Sequence, residues 1–292
     1  MIVLAIRPIM GTLMMNQPRL RIQILSAMAL LGVLASLACP TSLFSRGPWH
    51  DWEMLRLDVQ AMPLLSGQVE LHRYIEGGRT FFETTSTARL LGARVAEART
   101  RSILDEDTGR SESYESVSSR SGRRFVFGEA DYRIDKLTPA GDAEAPLDEW
   151  QIESSREFPY PEDARGNPVE VYDYYGMILH LGELDLDEVN DEVLVHVATS
   201  DGVVGYRIVV AESREAMREF VDTKDGSTNT SELTELRLRF LPADPDRAPE
   251  GFLRMEGESE IWVEQRSKTL LQINGRVPNV PGEVRLVLSE MG

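Results

Sequence analysis

"EVLVHVATSDGVVGYRIVV", residues 192–210, holds two alternating runs, 192–200 and 203–210, on either side of Asp201-Gly202. A side-chain period of two is that of a strand with one wet face, and Asp-Gly between such runs signals a hairpin. The same pattern recurs in "MLRLDVQAM" (54–62), "QVELHRYI" (68–75), "TFFETTSTA" (80–88) and "ARVAEARTRSIL" (93–104). It returns in "ELRLRFL" (235–241), "SEIWVEQ" (259–265) and "EVRLVLSE" (283–290). Gly77-Gly78, Asp107-Thr108-Gly109 and Ser121-Gly122 supply further turn signals. The pattern predicts an all-β fold, mainly an antiparallel curved sheet or a partly open barrel.

One stretch breaks the period. "DYYGMILHLGEL" (173–184) places Tyr175, Ile178 and Leu179 on one side of a helix, with Asp173 as N-cap and Gly182 as C-cap. A single amphipathic helix among many strands covers or plugs a curved sheet. Residues 138–168, rich in Pro, Asp and Glu, read as a long acidic surface loop, and 242–251 as a second loop. Residues 53–292 are expected to form a single β domain, preceded by a tether over 39–52. That length suffices for a substantial core.

The first 38 residues carry the parts of a secretory signal: Arg19 and Arg21, an uncharged apolar run from Ile24 to Ala38, and small residues at Ser36 and Ala38. Met14 or Met15 is an alternative start. Ile22–Ala38 is short against the ~20 residues that span a membrane, which favours a cleaved signal over a retained helix. Cys39, the only cysteine, follows directly. "LASLAC" resembles the lipobox of bacterial lipoproteins, where the cysteine takes a diacylglycerol, although Ser36 stands where that pattern has an aliphatic residue. The resemblance implies lipidation at Cys39; ordinary signal cleavage is the alternative.

Composition narrows the function classes. Lys and Arg number 31 against 48 Asp and Glu. Residues 1–38 hold three arginines and no acid, so the remainder carries a net charge of −20. Such a chain repels nucleic acid and anionic head groups, leaving covalent acyl chains as the plausible membrane attachment. One cysteine excludes internal disulfides and cysteine-rich zinc sites. No G-x-S-x-G, H-E-x-x-H, P-loop or G-x-G-x-x-G motif is present. No cofactor or metal is therefore expected.

The four histidines, at 50, 72, 180 and 196, lack ligand spacing. His180, between Leu179 and Leu181, reads as a boundary residue with satisfied nitrogens, and His196 as a side chain on the polar face of a strand. "DEDTGRSE" (105–112) has alternating acids but lacks the sixth-position glycine and twelfth-position glutamate of a calcium loop, and a hairpin turn explains it better. "DLDEVNDE" (185–192) has the same fault. Glu258 and Glu260 fall on one strand face and are the weak candidates for a carboxylate pair, with solvated glutamates as the blander account. Trp49 and Trp52 suit either a membrane interface or a first-strand anchor.

The order of hairpin, "DTGRSESYE", helix "DYYGMILHL" and strand "YRIVV" resembles an uncharacterised envelope family, domain of unknown function 3108. "SEIWVEQRSKTLLQINGRVPNVPGEVRLVLSE" (259–290) is similar to its closing segment. The resemblance covers residues 53–290 and implies an exported, mostly β domain without an established reaction. The sequence thus points to a periplasmic or outer-membrane-anchored bacterial envelope protein. Its expected task is non-catalytic binding of a lipid-like or protein ligand on the curved sheet, with Tyr175, Ile178 and Leu179 lining the groove. The alternatives are a carboxylate-dependent hydrolase using Glu258 and Glu260, and a purely structural or assembly factor.

Overall fold

The computed structural model describes residues 52–61, 65–90, 93–118, 121–139, 147–244, 253, 255–277 and 282–292. They belong to one compact unit, Pro48–Gly292. Its strands are β1 (Met54–Gln60), β2 (Leu65–Glu76), β3 (Arg79–Leu90), β4 (Ala93–Asp105), β5 (Ser111–Ser118), β6 (Ser121–Phe127) and β7 (Asp131–Thr138). They continue with β8 (Gln151–Pro159), β9 (Glu192–Thr199), β10 (Gly202–Asp222), β11 (Thr228–Pro242), β12 (Glu256–Glu264), β13 (Leu270–Arg276) and β14 (Val284–Met291). All fourteen lie in one sheet, ordered β8-β7-β6-β5-β4-β3-β2-β1-β14-β13-β12-β11-β10-β9. Two hairpin-built meanders, β1–β8 and β9–β14, are therefore joined edge to edge through β1 and β14.

The sheet curls until distant strands meet. β10 pairs in parallel with β14 at Val221–Glu290 and Asp222–Met291, closing strands β10–β14 into a ring. At the other end the Tyr132 hydroxyl of β7 donates to the Thr199 carbonyl of β9 at 2.8 Å. Tyr172, in the connection after β8, bridges Val197 of β9. The predicted all-β architecture with one helix packed on it is the observed one.

Inside the curve, directly paired residues form rows across the strands, because opposed residues share a sheet face. One row runs Phe82, Ser102, Tyr114, Phe125 and Ile134 on β3 to β7, all buried. Another, four residues further along β3 and β4, runs Leu57, Val69, Ser86, Ala98 and Ser118 on β1 to β5. The helix α1 (Tyr174–His180) lies against this surface. Its Tyr175 ring packs against Phe82 and Tyr114, with centroids 5.2 and 6.0 Å apart. Gly176 permits the approach: a β-carbon there would stand 2.9 Å from Ser111 Oγ and 3.0 Å from Leu104 Cδ2.

The opposite face of the β10–β14 ring is polar and partly buried. Glu235 of β11 is 0 % exposed and receives Arg214 at 3.0 Å and Arg218, both from β10. The Arg214 guanidinium lies 4.1 Å from the centroid of buried Trp262. Gln272 donates to Asn274 at 2.8 Å beside them. Desolvated charges of this kind are tolerated when paired and hydrogen-bonded.

Four expectations need correction. Residues 138–168 are not one loop: Gln151–Pro159 form edge strand β8, exposed on both faces except at half-buried Phe158, and so without a hydrophobic signature. Gly182 does not cap α1, which ends at Leu181 and continues as a 3-10 turn, Leu181–Glu183, with no positive φ. The buried side of α1 is Tyr174, Met177, Ile178 and Leu181, spaced i, i+3, i+4 and i+7, while Tyr175 and Leu179 of the expected stripe are half-buried beside it. Trp52 is no tether residue: it is 6 % exposed, edge-on to Phe82, and covered by the Arg73 guanidinium. Trp49, Cys39 and the signal segment lie outside the described residues.

Candidate functional site

A cavity of about 500 Å³ opens between α1 and the concave sheet face. This lies within the range of ligand pockets, roughly 300–1,000 Å³. Its aliphatic wall comes from β1, β2, β13 and β14, through Leu57, Leu71, Ile273 and Leu286. The facing wall comes from β3, β4 and β5, through Ser86, Ala88, Ala98 and Ser118. Tyr175 and Ile178 of α1 close one side.

The void has a sequence cause. Inward positions on β3–β5 carry Ser86, Ala98 and Ser118 where the row four residues away carries Phe82, Ser102 and Tyr114, so the wall stops short of the seven-residue helix. Gly67 extends this on β2: a β-carbon there would stand 2.3 Å from the Thr87 carbonyl oxygen, so strands β2 and β3 approach where no side chain fits. Thr87 and Glu97 also border the cavity but pair with each other on the outward face, where Glu97 accepts from Arg99 at 3.2 Å. Among the described residues, no charged side chain enters from the inward face.

Three polar side chains, two buried and one half-buried, fix α1 over the cavity. Asp173 accepts from Ser102 Oγ at 2.6 Å, Ser111 Oγ at 2.8 Å, and the Tyr175 and Gly176 amides at 2.8 and 3.0 Å. Burial pushes its carboxyl up from the usual range, and these four donors offset that only in part. Tyr175 OH lies 3.2 Å from Thr84 Oγ1, itself 2.6 Å from Thr100 Oγ1. Tyr172 OH lies 2.9 Å from His180 Nε2, and His180 Nδ1 lies 2.7 Å from Glu183 Oε2. Burial raises the Tyr172 phenol, so it stays neutral and serves as a latch.

The residues singled out in the sequence fall as follows. Tyr175 and Ile178 line the cavity; Leu179 is half-buried against the core and does not. His180 has both nitrogens engaged, and His196 is half-buried on β9. Glu258 is held by Arg239, and Glu260 lies 3.5 Å from Arg237, which Glu212 shares at 3.3 Å, so both carboxylates are ion-paired on the sheet surface. Asp105 accepts from the Thr108 amide and hydroxyl at 2.8 and 2.6 Å, the capping of a hairpin turn. Ser86, Ala88, Ala98 and Ser118, which shape the cavity, were not singled out. Their only signal is small side chains at inward positions of alternating strands.

The sequence matches no family model and no curated protein. Among solved structures it is similar to a β-barrel-like protein of domain of unknown function DUF1849 from Brucella abortus. That likeness covers 82% of this chain and 95% of the other at 10% identity, with a TM-score of 0.48. A "putative lipoprotein" from Parabacteroides distasonis covers 83% and 96% at 9% identity, with a TM-score of 0.27. Likenesses this distant carry no function across.

Proposed function

We propose that the chain is an exported cell-envelope protein that holds an apolar, lipid-like ligand without transforming it. The observation that carries this reading is the cavity of about 500 Å³ between α1 and the sheet, lined by aliphatic side chains. Among the described residues, large exposed apolar side chains are by contrast scattered over Tyr74, Ile75, Ile152, Val189, Leu194 and Met217, on four strands and one connection. A surface-contact assembly factor would concentrate them in one patch. The ion pairs of Glu258 and Glu260 weigh against a carboxylate-dependent hydrolase.

Export and anchoring belong to the same proposal and rest on the N-terminal sequence. Cys39 is the proposed lipidation site, the periplasm or outer membrane the proposed location. Kinship with domain of unknown function 3108 is part of the proposal as well, resting on the order of strands and helix. The test is mass spectrometry of the protein purified from membranes, before and after organic extraction. A co-purifying apolar molecule and a diacylglyceryl-modified Cys39 are expected. Absence of any bound molecule, with no uptake of long-chain probes, overturns the binding reading. Cys39→Ser is expected to release the protein from membranes with its fold unchanged; retention on membranes refutes the anchor.

A further inference from the structure

We infer that the cavity selects an acyl chain whose polar end is uncharged and donates hydrogen bonds, as an alcohol or amide does. The inference rests on the binding reading above and concerns only which lipid class the cavity takes. Ser86, Ala98 and Ser118 stand side by side on β3, β4 and β5, because Ser86 pairs with Ala98 and Ala98 with Ser118. Ser86 is half-buried and Ser118 exposed, so this row marks the rim of the cavity. Leu71, Ile178, Leu270 and Ile273 line its apolar part.

Both rim hydroxyls have spent their protons. Ser86 Oγ donates to the Ala98 carbonyl at 3.3 Å, and Ser118 Oγ donates to the Ser121 carbonyl at 3.2 Å, with the Ser121 hydroxyl 3.3 Å away to donate in return. A hydroxyl has one proton and two lone pairs, so each offers the cavity acceptors only. A carboxylate or phosphate is also acceptor-only, and meets no cation among the described inward-facing residues. Losing its water there without a partner penalises the ion. A fixed cation fares no better, since the nearby Glu97 carboxylate is engaged by Arg99 on the outward face. An alcohol or amide head meets both requirements: it carries protons for the serine lone pairs and no charge to desolvate.

The test titrates the delipidated protein at pH 8 with three probes of equal chain length: 1-monopalmitoylglycerol, methyl palmitate and palmitate. The first donates and is neutral, the second is neutral but accepts only, the third is an acceptor-only anion. Affinity is expected to fall in that order, about fivefold at the first step, the worth of a net hydrogen bond or so. The Ser86→Ala/Ser118→Ala double variant is expected to bring monopalmitoylglycerol down to methyl palmitate and leave the latter unchanged. Palmitate binding as tightly as either neutral probe overturns the exclusion of charge. Methyl palmitate matching monopalmitoylglycerol overturns the demand for a donor. If none of the three binds, the ligand-binding function falls, and this inference with it.

Discussion

Two rows of side chains on the concave face of β3–β5, about 13 Å apart along the strands, are built from opposite materials. In one, Tyr114 and Phe125 pack ring against ring with centroids 5.3 Å apart and continue through Tyr132 into Phe158, while Tyr175 of α1 packs against both Phe82 and Tyr114. In the other, Ser86, Ala98 and Ser118 hold no ring at all, and the cavity lies above them. Backbone pairing is the same through both. Side-chain volume alone decides where this sheet is solid and where it is hollow, since a closed interior packs to crystal-like density only if the volumes supplied fill it.

Substitutions that exchange the two materials test this contrast. The largest effect is expected from Phe125→Ala, which empties the solid row and should cost about 3–5 kcal/mol in denaturant unfolding. A cost under ~1 kcal/mol would show that the row is not tightly packed. Next comes Ser102→Leu, which inserts bulk under α1 and removes a donor from Asp173, at about 2–4 kcal/mol. Ala98→Leu, the same kind of change four residues earlier on β4, fills the hollow instead. Its unfolding free energy should stay within ~1 kcal/mol of the parent, while long-chain probe binding drops at least tenfold. Equal destabilisation by the two leucines would mean that no usable space exists at Ala98.

The smallest effect lies outside both rows. Burial holds the His196 imidazole below its usual value. The unfolded chain therefore takes up the proton first, so the contribution of His196 is complete above about pH 6.5 and is lost as pH falls through the folded value. His196→Gln should flatten the stability–pH slope between that pH and the acid range. Parallel curves for the two proteins would show that His196 titrates alike folded and unfolded.

Strands with one wet face were legible; those that depart from that condition were not. β13, "LLQINGR", is buried on both faces nearly throughout, with Leu271 and Ile273 on the apolar side and Gln272 and Asn274 on the polar side, so no alternation survives. β8 is exposed on both faces and carries no apolar rhythm. In β5 a bulge opposite Ile103/Leu104 shifts the register, leaving Ser111 and Tyr114 as its buried residues, three apart. The second half of β10, "AESREAMREFVD", consists largely of charged residues that pairing with β11 satisfies, as when Glu212 meets Arg237. Within the site, Tyr175 and Ile178 were visible because a helix stripe announces itself. The hollow wall was not, because a small residue at an inward position looks the same whether its neighbours fill the gap or leave it open.

The junction of the two meanders bears on how the chain reaches this structure. Every neighbouring pair in the sheet is a hairpin, except β1 with β14. There Leu55 faces Met291, and the Glu53 and Met54 amides donate to the Gly292 carbonyl at 2.6 and 3.0 Å. Ring closure from β10 to β14 and the Tyr172 bridge to β9 aside, the entropy of non-local pairing is concentrated in that seam. A circular permutant joined across residues 292 and 53 and opened between α1 and β9 would read its whole sheet in strand order, with α1 at its end. Its search would then be a run of local zippering steps, with the cavity assembled before α1 arrives to close it.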